Sequence, residues 1–581
     1  MMVETSFHNR YYPWTEINTD GVTCWLKGTF FYENELLQSE DTVRLISSAL
    51  EGSLIDHEAL KTLLLALNGN FALAMETSRY IFCTVDRVRS IPLFYAVSGE
   101  EALFSDDANY LRDRLNPPFN EENGAEFLVT GYVTGPDTLF DGISQVQAGE
   151  YLVYDKTSGS LVTQFYHRFW HGNYFSDSEE ELLDRLDEIF VRVFKRLIAS
   201  TKGRQIVVPL SGGLDSRTVV AMLKRLGVED VICFSYGKKG DREVEISRQV
   251  AEALGYQWYF VEHTRGKLYD GYHSDDMRRY KEYGGNLASL PHTQDFLAVK
   301  ELKDKAEIPE NAVFVPGHSG DMISGGYIPK DYNQSRSYTF EKFLADNLKK
   351  QYSLWKWNEA ELGPLFEGRI RKCVGDILIH DNESCANAIE LFDFNGRQAK
   401  YIVNAVRVYE FFGFQWRIPL WDAELIDFFL RVPISYRINQ LLYKNYAKKH
   451  FTRQLQPLSE IECTTNISND SEGEKAPALH PLHKLSNPRT KGTFRTLLNY
   501  FDSGWERYYQ YPTITRTFNL FGRGYDNPFP KGSLLHKIVR YNQKPLRIMS
   551  LGGYRSKRIL SFVKTTRNRR EDDFKTHPDL K

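Results

Sequence analysis

Residues Val207 to Val220 read VVPLSGGLDSRTVV: an apolar run, a turn built on Gly212 and Gly213, and a helix opening near Asp215. A strand that breaks on two glycines and re-enters as a helix is a layout in which backbone wraps a phosphate. Glycine tolerates the dihedrals that let several N–H groups converge on an anion, and it leaves room for close approach. The following helix adds its positive amino end. Ser211 and Ser216 can donate hydroxyls to phosphate oxygens, whereas Asp215, itself an anion, repels phosphate unless a cation lies between them. That points to Mg²⁺. The pattern G-x-x-x-x-G-K-[ST] is absent, which excludes the phosphate loop of kinases and GTPases.

Outward from this stretch the same alternation repeats. RQIVVPL, ending at Leu210, has the character of a buried strand, and RTVVAMLKRLG predicts a helix with Val219, Leu223 and Leu226 on one face. Gly227 suits its carboxyl end. VEDVICFSYG is the next strand and REVEISRQVAEALG the next helix, with Ile246, Val250 and Leu254 four apart and Gly255 closing it. Such units imply a parallel sheet with helices on both faces, which binds ligands at the carboxyl ends of its strands. The loop from Ser211 to Ser216 lies at such an end.

Earlier in the chain, up to about Thr163, short runs such as YIFCTVD (Tyr80 to Asp86) and YLVYD (Tyr151 to Asp155) alternate with turn signals at Asn68 and Ser98. That predicts a β-rich region with a few helices. The acidic segment SDSEEELLDRLDEIFVRVFKRLIAS, with Leu183, Leu186, Ile189, Val193 and Leu197 at helical spacing, opens the second domain. A third region begins near Gln456 with the polar stretch TTNISNDSEGEKAP, a linker or mobile loop. Between Gln543 and Arg570 there are nine Lys or Arg and no acid. That run reads as a solvated helical surface, with contact to a polyanion or membrane surface as the sharper alternative.

Bulk properties agree. A chain of 581 residues implies two to four domains. With 42% hydrophobic and 26% charged residues it can bury those cores, and a net charge of -3 gives no overall pull toward nucleic acid or membrane. The aromatic share of 14% favours packed interiors and aromatic-lined sites. Six scattered cysteines without a C-x-x-C pair indicate neither a disulfide framework nor a zinc site. The opening MMVETSFHNRYYPW has no run able to serve as a signal peptide, and no stretch of about 18 apolar residues occurs. A reducing, cytoplasmic protein is expected.

SGGLDS resembles the pyrophosphate-binding loop of the N-type ATP pyrophosphatases and, with Leu214 at its fourth position, most resembles the asparagine synthetase family, including the β-lactam synthetases. VFVPGHSGDMISGGY, Val313 to Tyr327, is similar to that family's G-E-G-x-D-E-x-x-x-G-G-Y. GFQWRIPLWD, from Gly413, is similar to its G-v-E-x-R-x-P-F-L-D. Lys444 in LLYKNYAKK resembles the lysine ahead of the closing helix, with Lys448 and Lys449 as rivals. LNGNFALAM, DRVRSIPLFY, FSDD and GYVTGPDTLFDGISQVQAGEYL, spread from Leu67 to Leu152, follow the order of its Ntn-type glutaminase domain.

The resemblance covers about 1–455. It implies an α/β protein: an Ntn-type α+β sandwich over 1–165, a parallel-sheet PP-loop ATP pyrophosphatase domain over 176–455, and an extension over 456–581 outside it. It implies that ATP lies on Leu210, Ser211, Gly212, Gly213, Asp215, Ser216, Phe234, Ser235 and Gly317, with Mg²⁺ on Asp215 and Asp321. A substrate carboxylate would form an acyl-adenylate, an amine would displace AMP, and Lys444 would offset the developing charge. The expected partners are a small-molecule, sugar or peptide carboxylate and an amine or ammonia donor. A homodimer is possible, and neither nucleic acid nor a transmembrane segment is expected.

Departures from the family pattern shape the expectation further. The glutaminase nucleophile is an N-terminal cysteine activated by its own α-amine. Here the chain reads Met1-Met2-Val3, Cys24 is internal, and Lys27-Gly28-Thr29 stands where the family has the glutamine-holding Asn-Gly-Glu. No glutamine hydrolysis is expected. His318 replaces the first glutamate of the second motif and can act as a general base or stand structurally beside the nucleotide. Gln415 stands where the family has glutamate, and Ser289 and His292 in YGGNLASLPHTQDF are candidates to line the acyl pocket or to open a capped helix. Aspartate as substrate is thereby in doubt. A regulatory relative without catalysis and an RNA-modifying ATP pyrophosphatase share these residues as alternative readings.

Overall fold

The computed structural model describes residues 2–8, 11–19, 21–50, 55–99, 101–329, 339–375, 377–451 and 532–543. The polar stretch from Thr464, Cys463, the start of the extension at Gln456 and the basic run beyond Gln543 lie outside them.

The first region is a sandwich. A six-stranded antiparallel sheet runs in the order Ser160–Phe165, Glu150–Asp155, Tyr80–Val85, Phe71–Glu76, Val22–Gly28, Thr15–Thr19. The period-two alternation of these strands sorts their side chains. Cys24, Leu26, Leu73, Met75, Phe82, Tyr151 and Val153 face one way, onto the helices Ser39–Leu50 and His57–Ala66. Ala72, Ala74, Ile81, Cys83 and Leu152 face the other, toward Tyr95, Ala102 and Phe104 of a four-stranded sheet. Phe94 and Leu103 on the outer face of that second sheet pack on the helix Ala108–Leu115. The β-rich region with a few helices read from the short alternating runs is present, arranged as the α+β sandwich that the family resemblance implies.

Ser178 then caps the helix Glu179–Thr201 through a capping box with Glu181. It leads into a five-stranded parallel sheet in the order Gln257–Glu262, Val231–Gly237, Ile206–Pro209, Val313–Phe314, Gln415–Trp416. Gly255 ends the helix Arg242–Leu254 with φ +70°, the left-handed turn that glycine supplies without strain. Between Glu262 and Val313 the chain crosses to the far side of the central strand, so strands on either side diverge beside the Ser211–Ser216 loop. Such a point leaves a crevice at the carboxyl ends.

The two regions meet over polar groups. Asp422, from the RIPLWD run, caps the helix Ala423–Arg431, accepts from Arg196 Nη2 at 2.7 Å and accepts from Asn68 of the first region at 3.0 Å. Arg87 of the first region pairs with Asp427. A third contact comes from the far carboxyl side, where the helix Leu534–Gln543 buries Leu535 and Ile538 against Ala125, Leu128 and helical residues of the second region. Among the described residues all cysteines are free, and no helix is long and apolar enough to cross a membrane.

Candidate active site

Leu210 extends the central strand, its N–H donating to the Phe234 carbonyl at 2.8 Å. The chain then turns at once into the helix Leu214–Arg225. Ser216 Oγ accepts from Ser211 N–H at 3.1 Å and lies 3.0 Å from Ser211 Oγ, so the two serines pin the loop's ends together. Gly213 occupies the N-cap position with no side-chain cap, at φ -72°. The first-turn N–H groups of this helix therefore face outward without a side-chain acceptor, the arrangement that receives an anion.

The expectation that the two glycines serve unusual dihedrals is corrected here. Neither Gly212 nor Gly213 has positive φ. Their contribution is room: a Cβ at residue 213 would meet only Ser211 Oγ, at 3.2 Å, and one at 212 nothing nearer than 3.5 Å.

The motif that follows the Val313–Phe314 strand folds back on this loop. A Cβ at Gly317 would stand 2.5 Å from Ser216 N, and one at Gly320 would stand 2.7 Å from Asp215 Oδ1. Gly317 lets backbone rest on backbone and Gly320 leaves room for the Asp215 carboxylate and the Tyr443 hydroxyl, and the result brings Asp321 to Asp215 across 106 positions of sequence. Asp321 N–H donates to Asp215 Oδ2 at 3.2 Å, and Asp321 Oδ1 accepts from Met322 N–H at 2.8 Å. Burial and then the neighbouring Asp321 charge push the Asp215 carboxyl up to about 8, and burial raises Asp321 as well. Two half-buried carboxylates that resist ionising together fit a hard divalent cation. Among the described residues no group of three His, Cys, Asp or Glu forms a closed metal site.

Tyr443, on the helix Leu441–Phe451, donates to Thr218 Oγ1 at 3.0 Å and sits beside Asp215. Lys444 follows it, half-buried and in no ion pair among the described residues. Of its rivals, Lys448 is exposed, and Lys449 bonds to Glu180 at 2.6 Å and Asp184 at 2.9 Å. Lys449 is thus held away by the helix Glu179–Thr201.

Around His318 the structure gathers residues that sequence reasoning missed. Asp295 accepts from Tyr236 at 2.6 Å and from Tyr409, and its charge acts on His318. Burial lowers the His318 pKa, so its imidazole is neutral at pH 7. His292 adjoins it, held down to about 3 chiefly by burial, and stacks obliquely on Tyr401 at 5.2 Å. The Nδ1 atoms of both histidines are buried without a hydrogen bond. Asp295 could have been found from its place at the amino end of the helix Phe296–Asp304, in the segment already quoted for His292. The tyrosines carried no signal.

Two expected pocket residues stand elsewhere. Ser289 is buried against Asn404, and its backbone bridges to Tyr132 of the first region. Gln415 pairs with Val313, which pairs with Ile206, the first residue of the central strand. That register puts Gln415 at the amino-end level of the sheet, and Arg417 holds its Oε1 at 3.3 Å. The helix beside the pocket starts at Phe296, after the segment containing both Ser289 and His292.

Comparison with known proteins agrees with this geometry. The profile of the Asparagine synthase family matches residues 193–458, and that of the Glutamine amidotransferase domain matches 55–170. A probable glutamine-hydrolysing asparagine synthetase of Acanthamoeba polyphaga mimivirus is 28% identical over 276 residues, 41% of this chain and 48% of that protein. A putative glutamine-hydrolysing asparagine synthetase of Methanocaldococcus jannaschii is 23% identical over 43% of this chain and 47% of its own length. A 7-cyano-7-deazaguanine synthase of Cupriavidus necator is 35% identical over 122 residues, 21% of this chain and 45% of its own. The chain spans about half the length of these relatives. With both domain profiles matched in order and the SGGLDS and GHSGDM loops joined at one carboxylate pair, the chain belongs to the asparagine synthetase family.

Proposed function

We propose that the chain is an ATP-dependent, amide-forming ligase that activates a carboxylate as an acyl-adenylate and passes the acyl group to ammonia or an amine. The observation that carries this reading is the Asp215–Asp321 pair, pressed against an uncapped helix start by Gly317 and Gly320. Leu210, Ser211, Gly212, Gly213, Ser216, Phe234, Ser235 and Gly317 shape the nucleotide site, with hydroxyls and N–H groups on the pyrophosphate end. Asp215 and Asp321 would hold Mg²⁺, which when bound offsets the charge of the pyrophosphate. A substrate carboxylate oxygen attacks the α-phosphorus, and the bond to the pyrophosphate breaks as the electron pair leaves with it. Lys444 stabilises that departing charge. The amine nitrogen then attacks the acyl carbon, the bond to AMP breaks, and the neutral His318 accepts the proton that the nitrogen sheds.

Free ammonia or an amine is the nitrogen source this reading takes. Cys24 and Cys83 both lie buried within strands of the first region, and burial pushes the Cys24 thiol up to about 12. A thiol that stays protonated is a poor nucleophile. Lys27 is buried 3.6 Å from Asp106, so its side chain is committed to the fold. With His318 in place of a glutamate, a sugar acid or a peptide carboxylate fits as well as aspartate.

ATP–pyrophosphate exchange, screened over carboxylates with glutamine, with ammonia and with neither, tests the whole reading. Exchange is expected with at least one acid, and amide only when ammonia or an amine is added. Amide formed from glutamine alone would remove the nitrogen-source assignment. Mg²⁺ and ATP bound without exchange for any acid would favour a regulatory relative.

His318→Asn is expected to leave exchange within a few-fold and to slow amide formation by about tenfold to a hundredfold, at or below the low end of general-base contributions. Equal loss in both half-reactions would show a structural role for the ring instead.

The raised Asp215 pKa sets a pH dependence. A carboxyl that holds a proton up to about 8 must release it before a cation binds. Mg²⁺ affinity, titrated with a non-hydrolysable ATP analogue present, should rise by up to about tenfold per pH unit below pH 8 and then level off. Because the folded pKa exceeds the unfolded one, the contribution of Asp215 to the stability of the ligand-free protein is full at acid pH and is lost as pH rises to about 8. Thermal melts with and without Mg²⁺ should therefore diverge with increasing pH.

A further inference from the structure

Arg437 is fully buried and only partly satisfied. Its Nη2 donates to Glu390 Oε1 at 2.7 Å and to the Ile323 carbonyl at 3.2 Å. Its Nε and Nη1, like Glu390 Oε2, meet no hydrogen-bond partner among the described residues. A buried ion pair with unmet polar atoms is a poor way to fill a core, because apolar side chains of similar size often pack there as well or better. Ile328, Ala386, Ile434 and Ile438 already form an apolar cluster around this segment. What an apolar residue could not replace is the bond to Ile323, two positions after Asp321.

That carbonyl belongs to an internally braced turn. Ser324 Oγ donates to the Gly320 carbonyl at 2.6 Å, and Gly326 N–H donates to the Asp321 carbonyl at 2.8 Å. The turn lies directly on the Arg437 backbone: Gly325 holds φ +96°, and a Cβ there would stand 2.6 Å from the Arg437 carbonyl oxygen. Just beyond, Asn439 and Gln440 take left-handed backbone at φ 55° and 61°. Non-glycine residues seldom adopt it, and such strain persists where surrounding structure holds a site in place. The helix Leu441–Phe451 follows at once, and its Tyr443 bonds Thr218 on the helix that carries Asp215. One short segment therefore grips the Asp321 turn at its start and the Asp215 helix at its end.

We infer that Arg437 is a positioning residue for the carboxylate pair: through the Ile323 carbonyl it fixes the Asp321 turn on the segment that leads into Tyr443 and Lys444. Its effect on rate rests on the ligase reading above; its effect on the turn does not.

Removing Arg437 alone would leave Glu390 buried without its counter-charge, which itself destabilises a fold. The test therefore uses the full chain with Arg437→Met and Glu390→Met together, beside Arg437→Lys, which keeps the ion pair. The double variant should melt no more than about 2 °C below the parent. Hydrogen exchange of the amides of 320–326 should quicken by about tenfold, the loss of one bond from a charged donor, while the strand Ile206–Pro209 keeps its protection. Mg²⁺ affinity with a non-hydrolysable ATP analogue present should fall by about tenfold. ATP–pyrophosphate exchange should slow by about tenfold to a hundredfold through kcat, with KM for the acid within about twofold. Arg437→Lys should fall between the parent and the double variant in all three readouts. A double variant that melts like the parent and keeps both the protection of 320–326 and the Mg²⁺ affinity would overturn the inference. Protection lost evenly across the chain would overturn it too, by making Arg437 a residue of the fold at large. A turn that loosens and a Mg²⁺ site that weakens, in a protein whose parent exchanges pyrophosphate with no acid, would remove the ligase reading and leave the positioning role. Parental exchange that the double variant matches, with an unaltered turn, would do the converse.

Discussion

Asp321→Asn is expected to lower ATP–pyrophosphate exchange by about a thousandfold while making the ligand-free protein more stable. Both effects follow from one geometry. Among the described residues, Asp321 and Asp215 are the two carboxylates that the loop contact brings together, so losing either charge removes half of the protein's hold on a cation. Removing a single preorganised electrostatic group costs about 10²–10³ in rate, and on the ligase reading the substituted group would also position the pyrophosphate. Asparagine keeps an oxygen that can accept from Met322 N–H, so the backbone of the motif need not move. The amide carries no charge, and the repulsion that helps push Asp215 up to about 8 disappears. Melting at pH 8 without ligand should therefore shift upward, while the stabilisation given by Mg²⁺ and ATP disappears. Activity that survives within tenfold would show that the pair is structural.

That opposition of stability and function marks what the sequence could and could not disclose. The alternation of strand and helix around Val207 was legible because buried strands and capped helices follow periodicity and glycine placement, and Gly227 and Gly255 stand where those rules put them. The carboxylate pair was legible only through motif resemblance, since nothing in local pattern connects residues so far apart. The surroundings of His318 and Asp321 were mostly hidden. Asp295 stands at the start of one helix and Lys350 at the end of another, and Arg397 meets Tyr327 from a π-helical turn that has no compositional signature. Gln415 failed for a different reason: strand register, which the sequence leaves open, carried it to the amino ends of the sheet. The RIPLWD run was recognised as a motif, but its Asp422 works at the contact between the two regions, bonding Arg196 and Asn68.

Gly317→Ala should abolish exchange as well, by at least about a hundredfold, and should do so with a loss of stability. Its new methyl would stand 2.5 Å from Ser216 N, 2.7 Å from Ser216 Cα and 2.8 Å from the Asp215 carbonyl carbon. All three are backbone atoms of a helix start, so no side chain can swing aside. The two loops must part by about an ångström, a displacement that costs about 10² in rate when reacting groups are involved. It also opens the contact that holds Asp321 N–H on Asp215. Gly213→Ala supplies the comparison. Its methyl would meet only a movable serine hydroxyl at 3.2 Å, and at φ -72° alanine is unstrained. Denaturant unfolding should leave that variant close to the parent, yet ATP binding should weaken, because the space a methyl takes in front of the helix is the space the phosphate needs. Gly213→Ala with unchanged ATP affinity would mean that the nucleotide does not approach this loop, and the assignment of SGGLDS to phosphate would fall with it.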